Sequence, residues 1–239
     1  MKKKEFAELL NRKAGMLKIS LGNSQIEAFY DYMEVLLSWN EKMNLTAITA
    51  PEEIITKHFI DSLTILRYIK KTDRIIDIGT GAGFPGIPLK IMEEDLECTL
   101  LDSLNKRILF LDKIIEELNI KKTKTIHARA EDLGMQKEYR EKYDVAVSRA
   151  VAPLNILLEY MSPYVREGGR CICMKGPGAN EEIEYSKNAI EELGLKILET
   201  EKLELPEEKI ERTIIVFKKE KATASCYPRQ NGKIRKQPL

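Results

Sequence analysis

The sequence predicts an α/β protein, a mostly parallel seven-stranded sheet covered by helices and preceded by a helical extension. Three observations carry this. The first third repeats apolar residues at three- and four-residue spacing, the period of one helix face. From Arg74 the pattern changes to short apolar runs that alternate with helical stretches, as in a parallel sheet covered on both faces. The first of those runs ends in a glycine-rich turn, Asp77-Ile-Gly-Thr-Gly-Ala-Gly-Phe-Pro-Gly-Ile-Pro88. The expected segments are residues 1–70 (helical extension), 71–219 (sheet domain) and 220–239 (a basic arm without periodicity).

A short helix is expected from about Lys4 to Ile19. Ile26, Phe29, Tyr30, Met33, Leu36 and Leu37 then line one face of a second helix, with Ser24 as its cap and Glu27 completing a capping box. A third helix starts near Pro51, a favoured first-turn residue, and carries Ile55, Phe59, Leu63 and Leu66. Strands are expected at 74–78, 96–102, 123–128, 143–148 and 170–174, with helices at 105–118 and 180–193. Runs 195–203 and 212–217 flank Pro206-Glu-Glu-Lys and read as a long hairpin closing one sheet edge.

The 239 residues suffice for a full core without staples. Hydrophobic content of 43% beside 32% charged residues excludes disordered and membrane classes. No apolar run reaches the roughly 18 residues of a spanning helix, and the opening Met1-Lys-Lys-Lys leads into charge rather than a signal core. A cytoplasmic protein with reduced thiols is expected. Cys171 and Cys173 are spaced as one strand face, and four cysteines with two histidines argue against a metal site.

Gly81, Gly83 and Gly86 satisfy the dinucleotide pattern G-x-G-x-x-G. Asp77 argues against that reading, because a carboxylate beside the turn would repel a pyrophosphate. It suits the ammonium and sulfonium of S-adenosylmethionine. Asp102 ends the next strand, where it can accept ribose hydroxyls of either cofactor.

The sequence resembles the RsmG (GidB) family, bacterial small-subunit ribosomal RNA guanine-N7 methyltransferases. Asp77–Pro88, Leu101-Asp-Ser-Leu-Asn-Lys-Arg107, Ser148-Arg-Ala-Val-Ala152 and Met174-Lys-Gly176 carry the resemblance. Trp39-Asn40, Asn44-Leu-Thr46, His58-Phe-Ile-Asp-Ser-Leu63 and the terminal Tyr227-Pro-Arg229, Gly232 and Pro238-Leu239 extend it, with Ile234 where the pattern has proline. It implies a Rossmann-like class I methyltransferase fold, S-adenosylmethionine as cofactor, and 16S ribosomal RNA or the small subunit as partner. No metal is expected, and a monomer is. Carried over by position, Gly79 and Phe84 line the cofactor, Ala130 and Glu131 approach its adenine, and Arg149 sits at the mouth. Asp77, Gly81, Gly83, Asp102 and Ser103 complete the expected cofactor set.

Guanine nitrogen 7 has an in-plane lone pair and no proton, so no general base is required. Arg149, Lys175 and Arg212 are the candidates for holding base or phosphate. His58, Lys106, Arg107, Tyr227 and Arg229 are candidates for RNA contact, the last two in a segment where residues 212–239 hold eight basic residues and one acidic. The total net charge of +1 conceals this, because residues 177–211 hold four basic and 11 acidic residues. His127 and Trp39 read as structural, and Asp61 with Ser62 as a cap or polar network. A methyltransferase for a small molecule or protein, a non-catalytic RNA-binding protein and a nicotinamide oxidoreductase remain alternatives.

Overall fold

The computed structural model describes residues 1–239, Asn231 by its backbone alone. Helices α1 (Lys3–Met16), α2 (Asn23–Met43), α3 (Pro51–Ile54) and α4 (Asp61–Leu63) form the amino-terminal third. Strand β1 (Arg74–Ile78) then leads through the glycine turn into α5 (Gly86–Met92), followed by β2 (Glu97–Asp102), α6 (Asn105–Glu117) and β3 (Thr123–His127). Next come α7 (Ala130–Leu133), β4 (Tyr143–Arg149), α8 (Leu154–Met161) and β5 (Val165–Lys175). The chain closes with α9 (Ala179–Tyr185), α10 (Lys187–Glu192), β6 (Leu195–Glu204), β7 (Glu211–Lys219) and α11 (Asn231–Lys236). The seven strands lie in the order β3-β2-β1-β4-β5-β7-β6. Only β7 runs antiparallel, pairing with β5 and β6, so the expected edge hairpin is present but inserts its second strand against the sheet.

Strand alternation sends side chains to two cores. Ile75, Val145, Val147, Ile172, Met174, Ile214 and Val216 face α1, α2, α5 and α6. Ile76, Ile78, Ala146, Cys171, Cys173, Ile215 and Phe217 face α8, α9 and α10. The amino-terminal helices therefore share their core with the sheet. Phe6, Leu10, Phe29 and Met33 are fully buried in it.

Several expectations are corrected. The cap of α2 is Gly22, whose N–H donates to Gln25 Oε1 at 2.8 Å, and not Ser24. Pro51 does open the third helix, but the following turn, Ile55–Ile60, widens into a π-helix before α4 and ends in a 3₁₀ turn at Leu66–Tyr68. Strand β5 begins five residues earlier than expected, at Val165, behind a register shift and the charged Arg166-Glu167. The helix expected over 180–193 breaks at Ser186, whose hydroxyl donates to the Glu182 carbonyl at 2.6 Å. Helix α8, eight residues long and with none of them exposed, is not among the expected helices.

The carboxyl-terminal segment is not a free arm. Arg140 donates to the carbonyls of Gly134, Thr223, Ala224 and Tyr227 at 2.7–3.2 Å. Glu159, fully buried on α8, accepts from Arg229 N, Nε and Nη2 at 2.6–2.9 Å. Tyr227 Oη donates to Glu192 at 3.2 Å. Ile234, in the position where proline was expected, is fully buried in the second core, and α11 packs on α8. Arg229 and Tyr227 thus tie the carboxyl-terminal segment to the fold.

Removing one partner of a buried ion pair leaves the other uncompensated. Arg229→Ala is expected to cost about 3 kcal/mol, read by urea denaturation. An unchanged midpoint would contradict the latch described for the last twenty residues.

Candidate functional site

The glycine turn leaves β1 at the carboxyl edge of the sheet, where ligands of open α/β sheets bind. Gly79 N and Thr80 N both donate to the Leu101 carbonyl, at 2.9 and 3.1 Å, which ties the turn to β2. Gly83 has φ +98°, and a Cβ there would lie 2.6 Å from Tyr32 Oη. Tyr32, fully buried on α2, donates that hydroxyl to the Ala82 carbonyl, so an amino-terminal helix props the turn from behind. Gly81 is the opposite case: with φ +64° and nothing within 4 Å, its backbone faces open space.

Two adjoining cavities occupy this edge. The larger, about 470 Å³, is lined by Leu45, Thr46, His58, Gly79–Ala82, Phe84, Asp102, Ser103, Arg107, Arg149–Val151 and Arg235. The smaller, about 110 Å³, is lined by Ile78, Leu101, Ala128–Glu131 and Tyr160, and shares Gly79, Asp102, Ser103, Val151 and Arg235 with the first.

Asp102 ties the shared wall together. Its Oδ2 accepts from Gly81 N at 2.9 Å, its Oδ1 from Leu104 N at 2.9 Å, and Arg107 Nη1 lies 3.1 Å from Oδ2. Glu131 is buried in the smaller cavity; its Oε1 has no hydrogen-bond partner, and the nearest cation is Arg129 at 3.8 Å.

Asp77 is placed differently from the expectation. It lines neither cavity. Fully buried behind the turn, its Oδ2 accepts from Thr80 Oγ1 at 2.7 Å and Gly86 N at 2.8 Å. It shapes the turn rather than facing a cation. Burial pushes its carboxyl up to about 6, against the opposing effect of those two donors.

On the far wall a polar chain runs through the amino-terminal motifs. Asn40 Oδ1 accepts from Leu45 N and Thr46 N at 2.7 and 2.8 Å, fixing the loop that follows α2. Thr46 Oγ1 lies 2.9 Å from His58 Nε2. Arg149 Nη2 donates to His58 Nδ1 at 3.2 Å, which leaves the proton on Nε2, facing Thr46. The imidazole stacks on Phe84, centroids 4.3 Å apart and 13° from parallel. Burial, with the charge of Arg149, pushes His58 down to about 3, so it is neutral at physiological pH.

Asp61, only 1% exposed, gathers two cations: Arg149 Nη1 at 3.0 Å and Arg212 Nε at 3.1 Å. Arg149 also donates to the Lys57 carbonyl at 2.9 Å. That acceptor belongs to the π-helical turn, a local widening typical of functional sites.

Of the expected residues, Gly79, Gly81, Phe84, Asp102, Ser103, His58, Arg107 and Arg149 meet at the larger cavity, and Ala130 and Glu131 at the smaller. Gly83 and Asp77 lie behind it. Lys175 does not reach it: its Nζ donates to the Ala152 carbonyl and to Glu182, both at 2.7 Å, and so steadies the loop after β4. Arg212 acts through Asp61, and Lys106 Nζ donates to the Met43 carbonyl at 2.8 Å. Trp39 packs edge-on against Phe110, and His127 Nε2 meets the Ser103 carbonyl. Sequence reasoning missed Tyr32, Asp61 as a hub, Val151 and Arg235. Among the described residues, no group of three or more His, Cys, Asp or Glu is gathered as a metal site requires, and no helix is long and apolar enough to cross a membrane.

Asp77 and His58 titrate with opposite effects on stability. The raised carboxyl of Asp77 favours the folded state at low pH, and that contribution is lost as pH rises through about 6. The depressed histidine does the reverse, stabilising as pH rises from about 3 toward its unfolded value. Asp77→Asn removes the first effect alone. From pH 4 to pH 7 the unaltered chain should lose roughly 3 kcal/mol relative to Asp77→Asn in urea denaturation. Parallel pH profiles would show that Asp77 is not held as described.

Comparison with known proteins adds the following. The family model GidB, rRNA small subunit methyltransferase G, matches residues 25–212. Proteins named ribosomal RNA small subunit methyltransferase G include one from Acetivibrio thermocellus, 51% identical over 239 residues, covering 100% of this chain and 98% of that protein. Another, from Alkaliphilus oremlandii, is 47% identical over 237 residues, covering 98% of this chain and 99% of that protein. Among solved structures, a putative methyltransferase in complex with the Haloferax volcanii Trm112 activator superposes with a TM-score of 0.57 at 12% identity, covering 78% and 98% of the two chains. TYW2 from M. jannaschii in complex with AdoMet gives 0.54 at 14% identity, covering 66% and 74%. These two share the fold.

Proposed function

We propose a function from one premise: the chain belongs to the GidB family, rRNA small subunit methyltransferase G. It is an S-adenosylmethionine-dependent methyltransferase whose substrate is 16S ribosomal RNA and whose methyl acceptor is nitrogen 7 of a guanine. The observation that carries the placement of this chemistry is the pair of cavities meeting at Gly79, Asp102, Ser103 and Val151.

The residues fit the cofactor. Gly81 leaves bare backbone facing open space, and the unpartnered Oε1 of Glu131 offers an acceptor to an amine such as that of adenine. Asp102 at the end of β2 is placed for ribose hydroxyls. When bound, S-adenosylmethionine supplies a methyl group on a sulfonium, open to direct displacement. The chain's own task is then positioning, where holding two reactants in line can contribute up to roughly 7–11 kcal/mol.

In this reading His58, Phe84 and Arg149 form the wall against which the base is held. Arg149 is fixed by Asp61 and by backbone carbonyls, so its orientation is set before substrate arrives. The methylated ring gains positive charge. A neutral His58, and an Arg149 paired with a carboxylate, oppose that charge less than two free cations would. Arg107, Arg149 and Arg235 line the larger cavity, a cationic margin suited to RNA rather than to a small neutral substrate. A ribosomal substrate would place the protein in the cytoplasm.

Two tests follow. Asp102→Ala removes the acceptor for Gly81 N and Leu104 N and frees Arg107. It should weaken cofactor binding by calorimetry at least about tenfold, and an unchanged affinity would refute this placement. With labelled cofactor and either naked 16S RNA or assembled subunits, nucleoside mass analysis should return 7-methylguanosine. Label on protein, on adenine, or on no RNA would refute the proposed activity.

A further inference from the structure

Helix α11 places Arg235 at the seam of the two cavities, where it lines both. The placement is built, not incidental. Glu159 clamps Arg229, Arg229 Nη1 donates to the Gln237 carbonyl at 3.0 Å, and Ile234 is sunk in the core. The residue after Ile234 is thereby directed to the sheet's carboxyl edge. Arg229, at the start of this segment, and Gln237, at its end, are joined across α11, so the helix is held from both sides.

The larger cavity is lined by three guanidinium groups. Arg107 is paired with Asp102 at 3.1 Å and Arg149 with Asp61 at 3.0 Å. Arg235 is exposed and, among the described residues, makes neither a hydrogen bond nor an ion pair. Arg129, largely exposed, lines the smaller cavity beside it and is only 3.8 Å from the one carboxylate oxygen near it, Glu131 Oε1. The margin shared by the two cavities thus carries, at Arg235, a cation that the protein does not neutralise. S-adenosylmethionine has no phosphate, and its sulfonium and ammonium are themselves cations, so the cofactor is a poor partner for an added guanidinium. A phosphodiester is a good one: it is anionic and accepts paired N–H groups from a planar fork.

We propose that Arg235 is a positioning residue that binds an RNA backbone phosphate beside the target guanine, delivering the base across the seam toward His58 and Arg149. The inference rests on the RNA-methylating reading above and adds to it a specific contact from the carboxyl-terminal helix. That segment then reaches the substrate through Arg235, while Tyr227 and Arg229 serve as its anchors.

The test uses the full chain with Arg235→Ala, Arg235→Glu and Arg235→Lys, measuring cofactor affinity by calorimetry and 16S RNA affinity across a salt series. Arg235→Ala should leave cofactor affinity unchanged, weaken RNA binding about threefold, and reduce the slope of log affinity against log salt by about 0.7–0.9. Arg235→Glu should weaken RNA further, and Arg235→Lys should restore the slope because the charge returns. Equal loss of cofactor affinity would make Arg235 a cofactor cover and overturn the proposal. An unchanged RNA affinity and salt slope would also overturn it, leaving a solvated side chain. If the unaltered chain binds RNA with a normal salt slope but transfers no methyl group, the activity fails while the Arg235 contact is still read by binding alone.

Discussion

The Asp61 carboxylate, lodged between Arg149 and Arg212, is the interaction on which the site depends. Asp61 comes from the amino-terminal helices, Arg149 from the end of β4 and Arg212 from the start of β7. One carboxylate thus joins three parts of the chain that are distant in sequence. A buried charge of this kind is costly unless each oxygen is satisfied. Here both oxygens lie within 3.1 Å of a guanidinium nitrogen. The consequence is a rigid Arg149, which orients a His58 that burial keeps neutral and that stacks on Phe84.

The amino-terminal helices are therefore part of the site rather than an appendage to it. They prop the glycine turn through Tyr32, carry the Thr46 and His58 wall, and supply the carboxylate hub. The carboxyl-terminal segment does the same from the opposite side, by way of Glu159 and Ile234. Between them lies a sheet edge whose first strand ends in bare backbone. A methyl transfer needing no general base asks for this kind of construction, in which walls are fixed in advance and few groups change protonation.

Much of this was legible in the sequence. The strands announced themselves because their apolar runs are short and bounded, and β1, β2 and β3 lie within a residue of their expected limits. Cys171 and Cys173 fall on one strand face, as their spacing implied. The turn and Asp102 were found because local spacing encodes them. What stayed hidden depends on partners distant in the chain. Nothing local says that Asp61 meets residues 88 and 151 positions away, or that a π-helical turn is needed to bring it there. Arg229 reads as a free basic residue until Glu159, 70 positions earlier, is found buried beneath it. The charge pattern was real but its interpretation divided: some of the terminal cations are spent on folding, and Arg235 is the one left facing the cavities. Asp77 shows the same limit at short range: expected to face the cofactor, its side chain serves the turn instead.

A crystal structure of the chain with S-adenosylmethionine tests the central claim most directly, namely that the two joined cavities are one cofactor and base site walled by the amino-terminal helices. The account predicts the ligand spanning the seam, its adenine amine on Glu131 and its ribose on Asp102, with the Arg149–Asp61–Arg212 contacts unchanged. A ligand lodged outside these cavities, or an Asp61 hub that opens when it binds, would contradict it.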